Sequence, residues 1–245
     1  MLKIKNKIKE IGLTHYFRPK WYSIFINPYF IARYNIFKRI KIFSRQQKWN
    51  NKKILDVGCG IKPYEVLFKN SKYIGIDIEG GGHKNEYKKA DKYFDGKNIP
   101  FGDNFFDLVI CTQVIEHTLE YEYLLKEIYR VLKNKGTLIL TAPFVWNEHE
   151  IPYDFFRFTK YAHENIFKNT GFDIQKIEPT TNFFATIGQL ISAFLIETLA
   201  KKSLILKILI SILLCFPLQV IFLILDYIFR SKWLTLDYFV IAKKA

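Results

Sequence analysis

The chain has 245 residues, a length that suits one α/β domain with additions rather than two full domains. Apolar residues make up 49% and charged residues 24%, which excludes a disordered chain or a coiled coil. Only Cys59, Cys111 and Cys215 occur, with no CxxC pair, so a disulfide framework and a cysteine-based zinc site are excluded and a reducing compartment fits. The net charge of +14 is concentrated at one end: residues 1–53 hold 14 lysines and arginines against the single acid Glu10.

In chain order, residues 1–50 read as a basic and greasy arm. Ile4, Ile8 and Ile11 recur at helical spacing among Lys3, Lys5, Lys7 and Lys9, the pattern of a short amphipathic helix with a basic face. That alternation has no continuous apolar core, so no secretory leader is expected. Trp21, Tyr22 and Phe25 add aromatic bulk, and Asn27-Pro28 reads as the cap and first-turn proline of a second helix bearing Phe30, Tyr34 and Phe37 on one face. Basic charge with aromatic anchors suits an anionic bilayer, where each basic residue near the surface contributes about 1 kcal/mol. The same composition also suits RNA, through charge and stacking, or a solvated face packed on the body.

From Lys53 the pattern alternates between strands and helices. Ile54–Val57 is a short apolar strand ending at Gly58-Cys59-Gly60, and Tyr64–Phe68 reads as the start of a helix. Tyr73–Asp77 is a second strand ending in an acid, Gly80–Gly82 a loop, and Phe106–Cys111 a further buried strand. Tyr121–Leu132 has helical spacing, and Thr137–Thr141 is the next strand. This order predicts a doubly wound α/β sheet, in which ligands bind beyond the carboxyl ends of the strands. Asp56–Gly60, Asp77, Cys111–His117 and Ala142–Phe144 all fall at such ends. Gly58 and Gly60 allow close backbone approach to a ligand. Position 63 is Pro where a dinucleotide fingerprint wants glycine, and no phosphate-binding P-loop occurs, so a nucleoside without pyrophosphate fits best, its ribose held by Asp77.

These segments resemble the class I S-adenosylmethionine-dependent methyltransferases. Ile54–Gly60 is similar to their first motif, Tyr73–Asp77 to the ribose-binding strand, Ile99–Asp107 with Val114–His117 to the fourth-strand motif, and Arg130–Leu138 to the approach to strand five. The resemblance covers about residues 50–180 and recurs in Leu236–Lys243. It implies a seven-stranded Rossmann-like sheet and S-adenosyl-L-methionine as cofactor. Gly58 and Gly60 would line the methionine and ribose, Asp56 would lie near the methionine amine, and Asp77 would hold the ribose. Asp91, with Tyr93 or Asp95, would lie near adenine, and Cys111–Gln113 would pass beside the sulfonium.

An oxygen acceptor also benefits from a general base. Glu116-His117 and the stretch Glu148–Thr159 are the candidates past the strand ends, the second resembling a segment of methyltransferases associated with bacterial surface glycans and lipids. His149 is the first choice of base, with His117 and Glu116 as alternatives, and Tyr153, Asp154 and Arg157 are expected at the substrate. Arg157 either holds an anionic group or pairs with Asp154. The two histidines match no metal-ligand spacing, so no metal is expected.

About sixty residues separate the last two expected strands, Phe172–Ile177 and Tyr238–Ala242. This apolar insertion, residues 182–232 of a methyltransferase domain spanning 51–245, contains the uncharged runs Asn182–Ile196 and Ile208–Leu225. The second reaches the lower length limit for a membrane span. Flanking strands in one sheet require an even number of crossings, which favours a helical hairpin dipping into one leaflet and kinked at Pro217. A two-pass hairpin and a soluble helical lid or dimer interface are the alternatives. The expected activity is O-methylation of a membrane-associated glycan or lipid-linked acceptor at the cytoplasmic face, by a peripheral or monotopic protein that does not act on nucleic acid. Methylation of an isoprenoid quinone precursor and a non-catalytic membrane scaffold are the alternatives. The oligomeric state is not legible.

Overall fold

The computed structural model describes residues 15–80, 88–200 and 203–245. The amphipathic pattern of Ile4, Ile8 and Ile11, and Gly81-Gly82 of the glycine run, lie outside the described residues. The chain divides into two units. One comprises residues 42–178 and 237–245, the other residues 1–41 and 179–236.

The first unit is built on a seven-stranded sheet. Its strands are β1 (Lys53–Val57), β2 (Lys72–Ile78), β3 (Lys92–Phe94), β4 (Phe106–Thr112), β5 (Leu132–Pro143), β6 (Phe172–Pro179) and β7 (Asp237–Lys244), in the order β3-β2-β1-β4-β5-β7-β6. From β3 to β5 neighbouring strands are parallel, and β7 returns antiparallel to β5. Ile54, Leu55, Val57, Leu108, Val109 and Ile110 are fully buried, as expected of central parallel strands covered on both faces. Helix α2 (Tyr121–Val131) buries Leu124, Leu125, Ile128 and Val131 against this core, the stripe its spacing predicts.

The helix expected from Tyr64 is reduced to one 3₁₀ turn, Glu65–Leu67. Lys62 and Asn70 both have positive φ and Pro63 lacks an N–H, so too few residues remain between two sharp bends for a longer helix.

Helix α3 (Lys160–Asn169), capped by Thr159 whose Oγ1 accepts the Ala162 N–H, carries His163 into the core. His163 is fully buried among Phe158, Phe167 and Tyr238, and neither ring nitrogen has a hydrogen-bond partner among the described residues. Burial holds its pKa down at about 4. The unfolded chain takes up the proton near pH 6.5, so this contribution is intact above that pH and is lost as pH falls towards 4. Urea unfolding at pH 8 and pH 5 should show a loss of about 2 kcal/mol in the wild type that His163→Leu does not show.

The second unit is helical. The N-terminal part of α1 (Phe30–Ser44) follows Asn27, whose Oδ1 accepts the Tyr29 N–H at 2.9 Å. It packs with α4 (Phe183–Leu199) and α5 (Leu204–Phe229). Gln189 is buried, donates to the Pro28 carbonyl at 2.9 Å and accepts the Ala32 N–H at 3.0 Å. Gln219, also buried, donates to the Asn27 carbonyl at 3.2 Å. Ahead of Pro217 the helix widens into a π turn over Ser211–Cys215. The wider turn accommodates a ring that supplies no N–H and crowds the preceding carbonyls.

Candidate active site

β2, β1 and β4 end side by side, and the loops leaving them bring Gly58–Gly60, Asp77 and Gln113–His117 to one edge of the sheet. β1 turns at Gly58 (φ +67°) and Gly60 (φ +46°), both in the left-handed region that favours glycine. The two glycines serve different ends. A Cβ on Gly58 would stand 2.4 Å from Val114 Cγ2, so the bend lies flush against the loop after β4. A Cβ on Gly60 would meet nothing within 4 Å, so the bend opens onto free space there.

Asp77 borders that space. Its Oδ2 accepts the Gly60 N–H at 2.9 Å and its Oδ1 the Ile78 N–H at 2.9 Å. Lys88 Nζ stands 3.0 Å from Oδ1 and also donates to the Ile78 and Gly80 carbonyls at 2.7 and 2.6 Å. A carboxylate offers about four acceptor sites, so these three partners leave capacity for a hydroxyl. A cradle that any Cβ at position 60 would enter, with a carboxylate held against its wall by the same residue's N–H, fits a ribose.

Other expected contacts fall differently. Asp56 lies beneath the bend, 1% exposed, where its Oδ2 accepts the Tyr73 hydroxyl at 2.6 Å. Burial pushes its carboxyl up to about 7. Asp91 precedes β3, accepts the Gly75 N–H at 2.7 Å and pairs with Lys62, so it braces the amino end of the strand. Asp95 follows at the carboxyl end of β3. Asp95 accepts the Lys97 and Asn98 N–H groups at 2.8 and 2.7 Å. Gln113 has φ +57°, and its amide donates to Thr141 Oγ1 at 3.2 Å and Asp237 Oδ1 at 3.1 Å. What Gln113 offers at the strand end is therefore mainly backbone.

The loops after β4 and β5 meet at a second cluster. His117 and His149 stand edge to face with ring centroids 4.8 Å apart. His117 Nδ1 is 2.7 Å from the Tyr153 carbonyl, which makes it the protonated nitrogen, and Nε2 lies 3.9 Å from Glu116 Oε1 and 4.0 Å from Glu150 Oε1. His149 Nδ1 faces Asp154 Oδ2 at 3.1 Å. Burial lowers the His149 pKa, against the opposing pull of Asp154. Glu116 is fully buried, and burial raises its pKa well above the usual carboxylate range.

Arg157 closes this loop. It grips Asp154 with two bonds of 2.7 Å and donates to the carbonyls of Trp146, Asn147 and Phe156. All five guanidinium N–H groups are thereby used within the chain, and the pairing with Asp154 is one of the two expected roles. Burial pushes Asp154 up, but Arg157 and the His149 N–H outweigh it and bring the carboxyl down to about 2. Asp154 is thus part of the clamp, while the Tyr153 side chain remains half exposed. Lys62 and Lys88 were not singled out by sequence. Lysines are common in this chain, and only the fold shows these two buried beside carboxylates.

The methyltransferase domain family matches residues 55–140. An uncharacterized protein of Methanocaldococcus jannaschii is 36% identical over 147 residues, 57% of this chain and 63% of that one. A demethylmenaquinone methyltransferase of Geobacillus is 24% identical over 180 residues, 62% of this chain and 77% of that one. The chain spans about half to two thirds of the length of the first curated relatives it matches. Among solved structures, phosphoethanolamine N-methyltransferase 2 of Haemonchus contortus, in complex with S-adenosyl-L-methionine, superposes with a TM-score of 0.55. It is 20% identical, and the match covers 95% of this chain and 59% of that one, a likeness of fold. Over residues 55–140 the chain is thus similar to the methyltransferase domain family, and its sheet shares the fold of solved methyltransferases.

Proposed function

We propose that this protein transfers a methyl group from S-adenosylmethionine to an oxygen of an amphiphilic acceptor, a lipid-linked sugar or related glycan, at the inner face of a membrane. The cofactor supplies a sulfonium whose methyl carbon is open to displacement. The Gly58–Gly60 bend and Asp77 hold its nucleoside. The acceptor hydroxyl is activated at the cluster of Glu116, His117 and His149, which the Arg157–Asp154 clamp keeps in place.

The observation that carries the membrane reading is the outer face of α5. The helix runs 26 residues, and 22% of its most apolar 18-residue window is buried. Ile205, Leu213, Ile224 and Ile228 are all more than half exposed, as is Trp233 just beyond the helix. A soluble monomer rarely exposes a contiguous apolar patch beyond a few hundred Å². The helix is long enough to span, yet β6 and β7 on either side of the insertion belong to one sheet, so the excursion has to return. A hairpin of α4 and α5 set into one leaflet meets both conditions, with the basic residues of the arm available to anionic headgroups.

A second reading, methylation of an isoprenoid quinone precursor, draws support from the demethylmenaquinone methyltransferase relative. Purified protein, methyl-labelled S-adenosylmethionine and a membrane extract separate the readings. Label in glycolipid supports the first and label in quinone the second, whereas label only in RNA or soluble sugars overturns both. The protein should also sediment with vesicles containing anionic lipid, and its full recovery in the supernatant would remove the membrane half of the proposal.

A further inference from the structure

The Glu116 carboxylate is unusual for a buried acid. It is fully buried, and neither oxygen has a hydrogen-bond partner among the described residues. A buried ion without partners is strongly disfavoured, and a neutral carboxyl there would still leave an O–H without an acceptor. Two imidazoles stand beside it. One donor atom each from Glu116, His117 and His149 lies within 4.8 Å of the other two.

Both rings are oriented as ligands are. His117 gives Nδ1 to the Tyr153 carbonyl, and His149 Nδ1 faces the Asn147 carbonyl at 3.3 Å with the Asp154 carboxylate 3.1 Å away. Metal-bound histidines characteristically give one nitrogen to such an acceptor and the other to the ion. Among the described residues no hydrogen bond occupies Nε2 of either ring. Asp154 is itself fixed by the two-pronged bond from Arg157, so the support for His149 extends one layer further. Ligands at about 2.1 Å from an ion lie about 3 to 4 Å from one another, which the 3.9 Å between His117 Nε2 and Glu116 Oε1 already satisfies.

We infer that Glu116, His117 and His149 form a binding site for one divalent first-row transition-metal ion, with Glu150 at its margin. Imidazole nitrogen with carboxylate oxygen suits such ions better than calcium or magnesium, which prefer oxygen alone. Sequence spacing conceals the set because its members come from the loops after two different strands. Three protein ligands leave coordination positions open. On the methyl-transfer reading, and resting on it, an acceptor hydroxyl takes one of them and gives its proton to water. The oxygen then bonds to the methyl carbon as the carbon–sulfur bond breaks and the thioether leaves.

The test is metal binding, read separately from activity. Full-length protein stripped with a chelator is titrated with cobalt chloride, followed by visible absorption and calorimetry, alongside Glu116→Gln, His117→Ala and His149→Ala. The expected result is one Co²⁺ per chain with ligand-field bands. Each single variant should weaken binding at least ~10-fold, and the double histidine variant should abolish it. S-adenosylhomocysteine affinity, measured on the same samples, should change less than about twofold, since its site lies at the Gly58–Asp77 edge. Absent cobalt bands, or affinity unchanged by the variants while the folded protein still binds S-adenosylhomocysteine, overturns the metal site and leaves the methyltransferase reading standing. Loss of S-adenosylhomocysteine binding in the wild type alone overturns the latter and not the former.

Discussion

Replacing Asp77 by alanine is expected to weaken binding of S-adenosylhomocysteine at least ~10-fold, because a charge-assisted hydrogen bond to a ribose hydroxyl is lost. The substitution also removes the acceptor for the Gly60 N–H at the edge of the cradle and one of the partners of buried Lys88. Lys88 keeps its bonds to the Ile78 and Gly80 carbonyls, so the loop has other anchors and the fold should survive. Asp77→Asn separates the effects, since it preserves shape and loses charge, and it should recover only part of the affinity. Calorimetric titration checks both variants, with thermal melting as the control for folding. Unchanged affinity in a folded Asp77→Ala protein would place the nucleoside elsewhere.

Gly58→Ala should be the most damaging single methyl addition in the glycine bend. The backbone there has φ +67°, and the new Cβ would meet Val114 Cγ2 at 2.4 Å, a separation that forces the Val114 side chain or its loop to shift. Left-handed strain and overpacking together should cost about 2 to 5 kcal/mol, read as a lower urea midpoint. Gly60→Ala is the informative contrast. Its φ of +46° carries the strain alone, because a Cβ there touches nothing, so its stability cost should be about 1 kcal/mol. The methyl would instead stand in the space assigned to the ligand. Gly58→Ala should therefore show mainly in unfolding and Gly60→Ala mainly in binding. Equal effects of the two on binding, with no difference in unfolding, would contradict the division of roles between them.

The strands and α2 were legible because buried parallel strands are apolar throughout and a covered helix repeats every three to four residues. The carboxyl-end placement of Gly58, Gly60 and Asp77 followed from that order of strands. Legibility failed where long-range geometry competes with local pattern. Tyr64–Phe68 has helical character, but Pro63 and the bends at Lys62 and Asn70 cut it to one turn. Asp91 and Asp95 are both plausible from spacing, and only the three residues of β3 decide which lies at the carboxyl end. The roles of Arg157 and Glu116 were hidden because they depend on counting partners. Arg157 spends every donor inside its own loop, whereas buried Glu116 receives none among the described residues.

The most direct test of the nucleoside site is calorimetric titration of the unmodified protein with S-adenosylhomocysteine, NAD and ATP in turn. One molecule of S-adenosylhomocysteine should bind per chain, with NAD and ATP at least ~100-fold weaker, since Pro63 stands where a pyrophosphate fingerprint needs glycine. No heat with S-adenosylhomocysteine, or equal affinity for NAD, would contradict it.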